Sequence, residues 1–320
     1  MRLIHTHRRV RLAWLLAALA WAMTVPAAAE DACPKLKGMW LNLTPTDEGY
    51  LVPMSVAGHP YLFLLETEAG FAILDEKIVK EFQLPIKPLP HGMSISAAGA
   101  RITQIATAPT IKVGVVARSD AEFAVRSHSD TWGPRASGII GMNVLAGFDF
   151  ELDLAHNKIG LFLPGHCPFT PYWAHDTVGS APFTIEPTGT ALLPMKLDGK
   201  DVTVSLETTS QRARMALADA NVLFGIDEKT PNLIVSGKDK WGQDSYHYPF
   251  KTLSADEVTI ANPDILLTGP IGSGCGSTNK YCHCYGLGNV RLGIKELRQL
   301  RFFFDFNEKK VYFTPAEKQS

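Results

Sequence analysis

The stretch VPMSVAGHPYLFLLETEAG, Val52 to Gly70, governs the reading of this chain because the chain repeats it. LPMKLDGKDVTVSLETTSQ, Leu193 to Gln211, returns Pro53, Met54, Gly58, Leu65, Glu66 and Thr67 as Pro194, Met195, Gly199, Leu206, Glu207 and Thr208, at a constant offset of 141. A second pair, GMNVLAGFDFELDLAHNKIGLF from Gly141 and GIKELRQLRFFFDFNEKKVYFT from Gly293, aligns Leu145 with Leu297, Asp153 with Asp305 and Lys158 with Lys310 at an offset of 152. Two blocks recurring in the same order imply two copies of one structural unit.

Each copy reads as strands. Val52, Met54 and Val56 alternate with Pro53, Ser55 and Ala57, and Gly58-His59-Pro60 then signals a turn into the apolar run Tyr61 to Leu65. The pattern is a hairpin whose second strand is buried and ends in Glu66-Thr67, or Glu207-Thr208 in the second copy. A carboxyl delivered there is expensive unless it is hydrogen-bonded or used. Helical spacing from Leu74 to Phe82, with Asp75 as cap, and its match from Ala216 to Phe224 add short packing helices. The Pro-containing stretch from Pro164 to Thr190 reads as an ordered linker laid across the surface, with a boundary near Ser180. The expected architecture is all-β with short helices, in two tandem domains, 30–180 and 181–320.

These hairpins, their acidic-Thr ends, the following Ile139-Ile140-Gly141 and the Asp153 to Lys158 strand pair resemble the retropepsin-like fold of aspartic proteases. Chains with two fused halves are similar to the pepsin arrangement and to secreted bacterial aspartyl-protease-like proteins. The resemblance implies that Glu66 and Glu207 occupy the positions of the family's two aspartates at a pseudo-twofold axis, braced by Thr67 and Thr208. In active members two carboxyls about 3 Å apart share one proton. One then takes a proton from water while the other donates to the peptide carbonyl. The resemblance also makes Gly92 to Thr103, with Ser96 and Gly99, a flap over the cleft, matched in the second half by Trp241 to Tyr248, where Trp241 and Tyr246 supply aromatic contact.

The departures from that pattern are the two Glu replacements and the loss of the glycine that follows Thr, where Glu68 and Thr209 stand. An extra methylene from each side shifts the reacting oxygens by more than the roughly 1 Å misplacement that can cost about 100-fold in rate. A widened carboxyl pair is expected, each Glu turned to its own hydrogen-bond partners. Three functional readings follow. The first is an aspartic-protease-like protein with a degenerate site that binds a peptide or protein segment through Thr67, Glu68, Thr208, Thr209, Ser96, Gly99, Trp241 and Tyr246 without cleaving it. The second is an acid endopeptidase using a Glu66 and Glu207 dyad. The third is a structural or partner-binding module whose cleft is filled.

The basic Arg2 to Arg11, the apolar Leu12 to Met23 and Ala27-Ala28-Ala29 read as a cleavable signal over residues 1–29, which places the mature protein in the periplasm or outside the cell. Its apolar core is shorter than the ~20 residues of a membrane span, so no stable membrane insertion is expected. Without residues 1–29 the chain holds 27 basic and 32 acidic side chains, a net charge of −5, which argues against nucleic acid as a partner. Monomeric and oligomeric forms are both compatible with the sequence. Export permits disulfides, with Cys33, Cys167, Cys275, Cys282 and Cys284 as candidates: Cys33 with Cys167, and Cys275 with Cys282 or Cys284. The spacing of Cys275, Cys282, His283 and Cys284 does not suit a zinc site, and no cofactor is expected. Glycine-rich Gly269 to Gly276 lacks the Lys-Ser/Thr of a phosphate loop, and no serine-hydrolase elbow or His-Glu-x-x-His helix occurs. Most of the ten histidines, His156 and His166 among them, read as solvent-facing.

Overall fold

Apolar alternation and two-residue turns carry the architecture. Gly49–Val56 and His59–Leu65 form an antiparallel hairpin in register from Leu51↔Leu64 to Val56↔His59, closed by Ala57 (φ 50°) and Gly58 (φ 85°). Positive φ at both central residues is the type I′ geometry that matches strand twist. Ala191–Leu197 and Lys200–Leu206 form the corresponding hairpin about Asp198 (φ 47°) and Gly199 (φ 80°). Asp198 Oδ1 further accepts from the Lys251 and Thr252 amides, which fixes that turn to the next strand.

In this computed structural model the described residues are 36–91, 95–97, 100–128, 132–166, 168–174, 177–238, 242, 244–269 and 288–316. From Leu36 onward the chain forms one compact unit, and it is all-β apart from four short helices among the described residues. In the first large sheet, His59–Leu65 pairs parallel with Gly138–Ile140, which pairs antiparallel with Ile73–Asp75. In the second, Lys200–Leu206 pairs parallel with Val290–Leu292, which pairs antiparallel with Ala213–Ala216. Ile73–Asp75 and Ala213–Ala216 each pair parallel with one further strand, Val116–Arg126 and Ile265–Thr268. The helix Glu76–Glu81 follows at once, its Asp75 cap accepting from the Lys77 amide as its sequence position predicts. Leu217–Phe224 is its counterpart, ending on left-handed Gly225.

A third, six-stranded sheet runs in the order Gly38–Asn42, Lys158–Phe162, Asp149–Asp153, Leu300–Asp305, Lys310–Pro315, Gly179–Pro182. Asp149–Asp153 and Leu300–Asp305 meet at its centre with Phe150 opposite Phe304. Those two buried rings stack at 4.6 Å, and burying such a side chain contributes about 1.5–3 kcal/mol.

The segment from Pro164 to Thr190 is anchored by its aromatic side chains. Phe169 and Trp173 are buried, Phe169 stacks on Phe303, and Ser180 lies inside the sheet strand Gly179–Pro182. Gly70 shows how tightly the first acidic turn meets this connection: a Cβ there would fall 1.5 Å from the Thr188 carbonyl oxygen. Two histidines expected to face solvent are engaged: His156 Nδ1 lies 2.8 Å from Asp153 Oδ2, and the His166 side chain is almost wholly enclosed. All five cysteines lie outside the described residues. No helix among the described residues is long and apolar enough to cross a membrane.

Candidate active-site position

Both acidic turns begin where a buried strand ends. The Glu66 amide donates to Ile140 O and the Glu207 amide to Leu292 O, so each turn is tied to the central strand of its own sheet. The two threonines then reach across. Thr67 Oγ1 donates to Leu206 O, Thr208 Oγ1 donates to Leu65 O at 2.6 Å, and the Thr67 amide donates to Thr208 Oγ1 at 3.3 Å. Both are buried. Each of these bonds contributes about 1 kcal/mol net, but leaving a buried carbonyl unpaired costs more.

Around this brace stand five charges. Arg291, on Val290–Leu292, donates from Nε to both Glu68 oxygens at 3.0 and 2.8 Å and from Nη2 to Glu68 Oε2 as well. The same Nη2 donates to Glu207 Oε1 at 3.1 Å. Arg214, on Ala213–Ala216, donates from Nε to Glu207 Oε2 at 3.2 Å and from Nη2 to Glu207 Oε1. Ser205 Oγ donates to Glu68 Oε1. Glu68, Glu207 and Ser205 are buried, and Glu66 keeps partial access to solvent.

The electrostatics differ between the two glutamates. Burial pushes the Glu66 carboxyl up to about 7, Glu68 and Glu207 add to that, and Arg291 and Arg214 oppose it. Burial also pushes Glu207 up, against which Arg291 and Arg214 act directly while Glu68 reinforces it. Burial alone would lower the Arg291 guanidinium, but Glu68 and Glu207 outweigh it and hold the group above its ordinary value. No hydrogen bond joins Glu66 to Glu207 among the described residues. Glu207 therefore accepts from two guanidinium groups, and both carboxyls lie above the ordinary carboxylate range, Glu66 at about 7.

Arg214, Arg291 and Ser205 escape the sequence reading, yet the repeat offsets locate the two arginines. Arg291 stands 152 residues after Ile139, and Arg214 stands 141 after Ile73. Ile73 and Ile139 pair with each other in the first sheet, as Arg214 and Arg291 do in the second. The isoleucine pair belongs to an apolar cluster with Leu64, Ile102 and Trp132; the arginine pair turns the matching face of the second sheet into a cationic one. Glu68 stands where a glycine was expected, and its carboxylate runs to Ser205 and Arg291 of the second sheet.

The remaining expected contact residues fall elsewhere. Thr209 is half-buried. Ser96 lies in the small hairpin Ile95–Ala97 and Ala100–Ile102, opposite Arg101. Tyr246 is buried and its hydroxyl donates to Glu228 at 2.8 Å. Gly99 and Trp241 lie outside the described residues. One cavity of 570 Å³ is lined by Tyr61, Asp75, Glu81 and His128, and another of 560 Å³ by Ser180, Lys196, Asp201 and Asp256; neither lining includes Glu66 or Glu207.

Residues 52–144 match the family described as aspartyl protease. The matched segment takes in Glu66, Thr67, Glu68, Ile73 and Ile139, so this part of the chain is an aspartyl-protease-like domain. No curated protein matches the chain.

Proposed function

We propose that this protein is an exported, internally duplicated aspartic-protease-like protein that does not cleave peptides, and that its two halves present a binding surface for an extended peptide or protein segment. The observation that carries the loss of chemistry is the position of Arg291 between Glu68 and Glu207, with Arg214 on Glu207. A proton-sharing pair needs two carboxyls in mutual contact and one water between them and the substrate. Here one of the two carries two guanidinium groups, and a charge-assisted pair of this kind is about twice as strong as a neutral hydrogen bond. Glu207 is thereby withheld from acid–base duty, and Glu66 has no carboxyl partner to share its proton.

The proposed segment lies beside the small hairpin Ile95–Ala97 and Ala100–Ile102, which is held in place by the packing of Ile95 against a buried cluster that includes Ile102, Trp132 and Ile139. A second reading, in which the centre serves only to join the halves, draws on the buried threonine bonds that cross from each turn to the other half.

Purified protein incubated with a denatured protein mixture from pH 3 to 7 is expected to yield no new fragments, while a library of extended peptides yields ligands competing for one site. Fragments that disappear in Glu66→Gln would establish an acid endopeptidase and overturn the proposal. Absence of both fragments and peptide ligands would select the second reading.

A further inference from the structure

Away from the acidic turns, the centre of the six-stranded sheet holds a second group of ionisable side chains. Asp149 opens the strand Asp149–Asp153 and Asp305 closes Leu300–Asp305, each one step beyond the central Phe150↔Phe304 pair. Asp149 and Asp305 are 0% and 1% exposed. Each commits one oxygen to the backbone: Asp149 Oδ1 accepts from the Phe306 amide at 2.7 Å and Asp305 Oδ1 from the Glu308 amide at 2.8 Å. Each leaves Oδ2 facing His166, whose Nε2 lies 3.1 Å from Asp149 Oδ2 and 4.0 Å from Asp305 Oδ2. The imidazole is itself 4% exposed and lies edge-on to Phe169 and Phe303.

Two observations point to a ligand. The three inward atoms all lie within 4.8 Å of one another, a spacing that suits donors arranged around a single ion. Independently, Asp149 Oδ2, wholly buried, accepts no well-directed hydrogen bond from any described residue although it is aimed at the middle of the group. Buried carboxylates are normally hydrogen-bonded, paired with a cation or bound to metal. The backbone amides on the outer oxygens also supply the orienting shell that metal ligands usually have.

We propose that Asp149 Oδ2, Asp305 Oδ2 and His166 Nε2 bind one divalent cation, with zinc the best match for one imidazole and two carboxylates, and that the ion ties the strands Asp149–Asp153 and Leu300–Asp305 to the connecting segment that carries His166. The role is structural, and it stands whether or not the acidic turns are catalytic. Mixed nitrogen and oxygen donors suit zinc, which takes imidazole and carboxylate at about 2.0–2.2 Å.

The test uses protein purified from the full chain, stripped with chelator and dialysed against zinc at pH 7.5. One equivalent of zinc is expected to be retained and to raise Tm by about 5 °C at saturating metal. Asp149→Asn, which keeps the acceptor for the Phe306 amide, and His166→Gln are each expected to lose that equivalent and the Tm shift. Retention of no zinc by the wild-type protein, or undiminished retention by both variants, overturns the site. Should the variants not fold, cobalt(II) substitution of the wild-type protein decides: a visible spectrum without a thiolate charge-transfer band is expected, and cobalt bound solely through thiolate overturns the proposal.

Discussion

Arg291 answers two buried carboxylates at once, and this sets the sign of several substitutions. Arg291→Met leaves Glu68 and Glu207 without their shared partner in an apolar setting, and breaking a buried pair in this way costs about 3–5 kcal/mol. Urea unfolding at pH 7.5 is expected to show that loss. Glu66 supplies a separate pH dependence. Its carboxyl is raised in the folded state to about 7 from 4.5, so the native protein holds a proton that the unfolded chain has released. Stability from this group is therefore full below pH 4.5, falls as pH rises towards 7 and stays lost above it, by about 3 kcal/mol at about 1.36 kcal/mol per unit. Glu66→Gln is expected to remove that slope and to be more stable than wild type at pH 8, as measured by denaturant midpoints at pH 4.5 and 8.

At the scale of elements, the acidic turns are rigid because strands, threonines and neighbouring loops fix them from three sides. Gly70→Ala tests this most directly: its Cβ would meet the Thr188 carbonyl at 1.5 Å and the Gly189 Cα at 2.9 Å, both backbone atoms that cannot turn aside. Overpacking of this kind costs about 1–3 kcal/mol or more, and a lower thermal midpoint is the expected result. Much of this layer was legible in the chain. Gly58 and its repeat Gly199 announced the hairpins, and the returning Glu-Thr pairs marked the strand ends. The arginines were not legible in the same way. In a strand of alternating residues, Arg214 and Arg291 read as ordinary solvent-facing positions, and only the pairing of one with the other sets them over Glu207. His166 was equally opaque, since its burial depends on two phenylalanines, Phe169 and Phe303, that lie far apart in sequence.

Across the whole molecule, the six-stranded sheet binds early and late parts of the chain into one unit. Asp149–Asp153 pairs with Leu300–Asp305, and Gly179–Pro182 pairs with Lys310–Pro315. Arg301 reinforces the junction: its Nε donates to the fully buried Glu151, and its guanidinium lies 4.3 Å from the Trp173 ring centre. Thermal unfolding is therefore expected to be a single cooperative transition by calorimetry. Arg301→Met is expected to lower it by several degrees, because Glu151 is left buried without its cation.

That same strand order bears on how the protein is made. Lys310–Pro315 leaves the ribosome after every other described strand, yet it sits inside the sheet, between Leu300–Asp305 and Gly179–Pro182. Until Leu300–Asp305 emerges to cover Asp149–Asp153, and Lys310–Pro315 to cover Gly179–Pro182, each of the earlier strands presents an open row of amides and carbonyls, the feature that invites pairing with another chain. A nascent polypeptide stalled before residue 300 would be a template for aggregation, so synthesis of residues 300–315 doubles as the step that seals the first half against its neighbours.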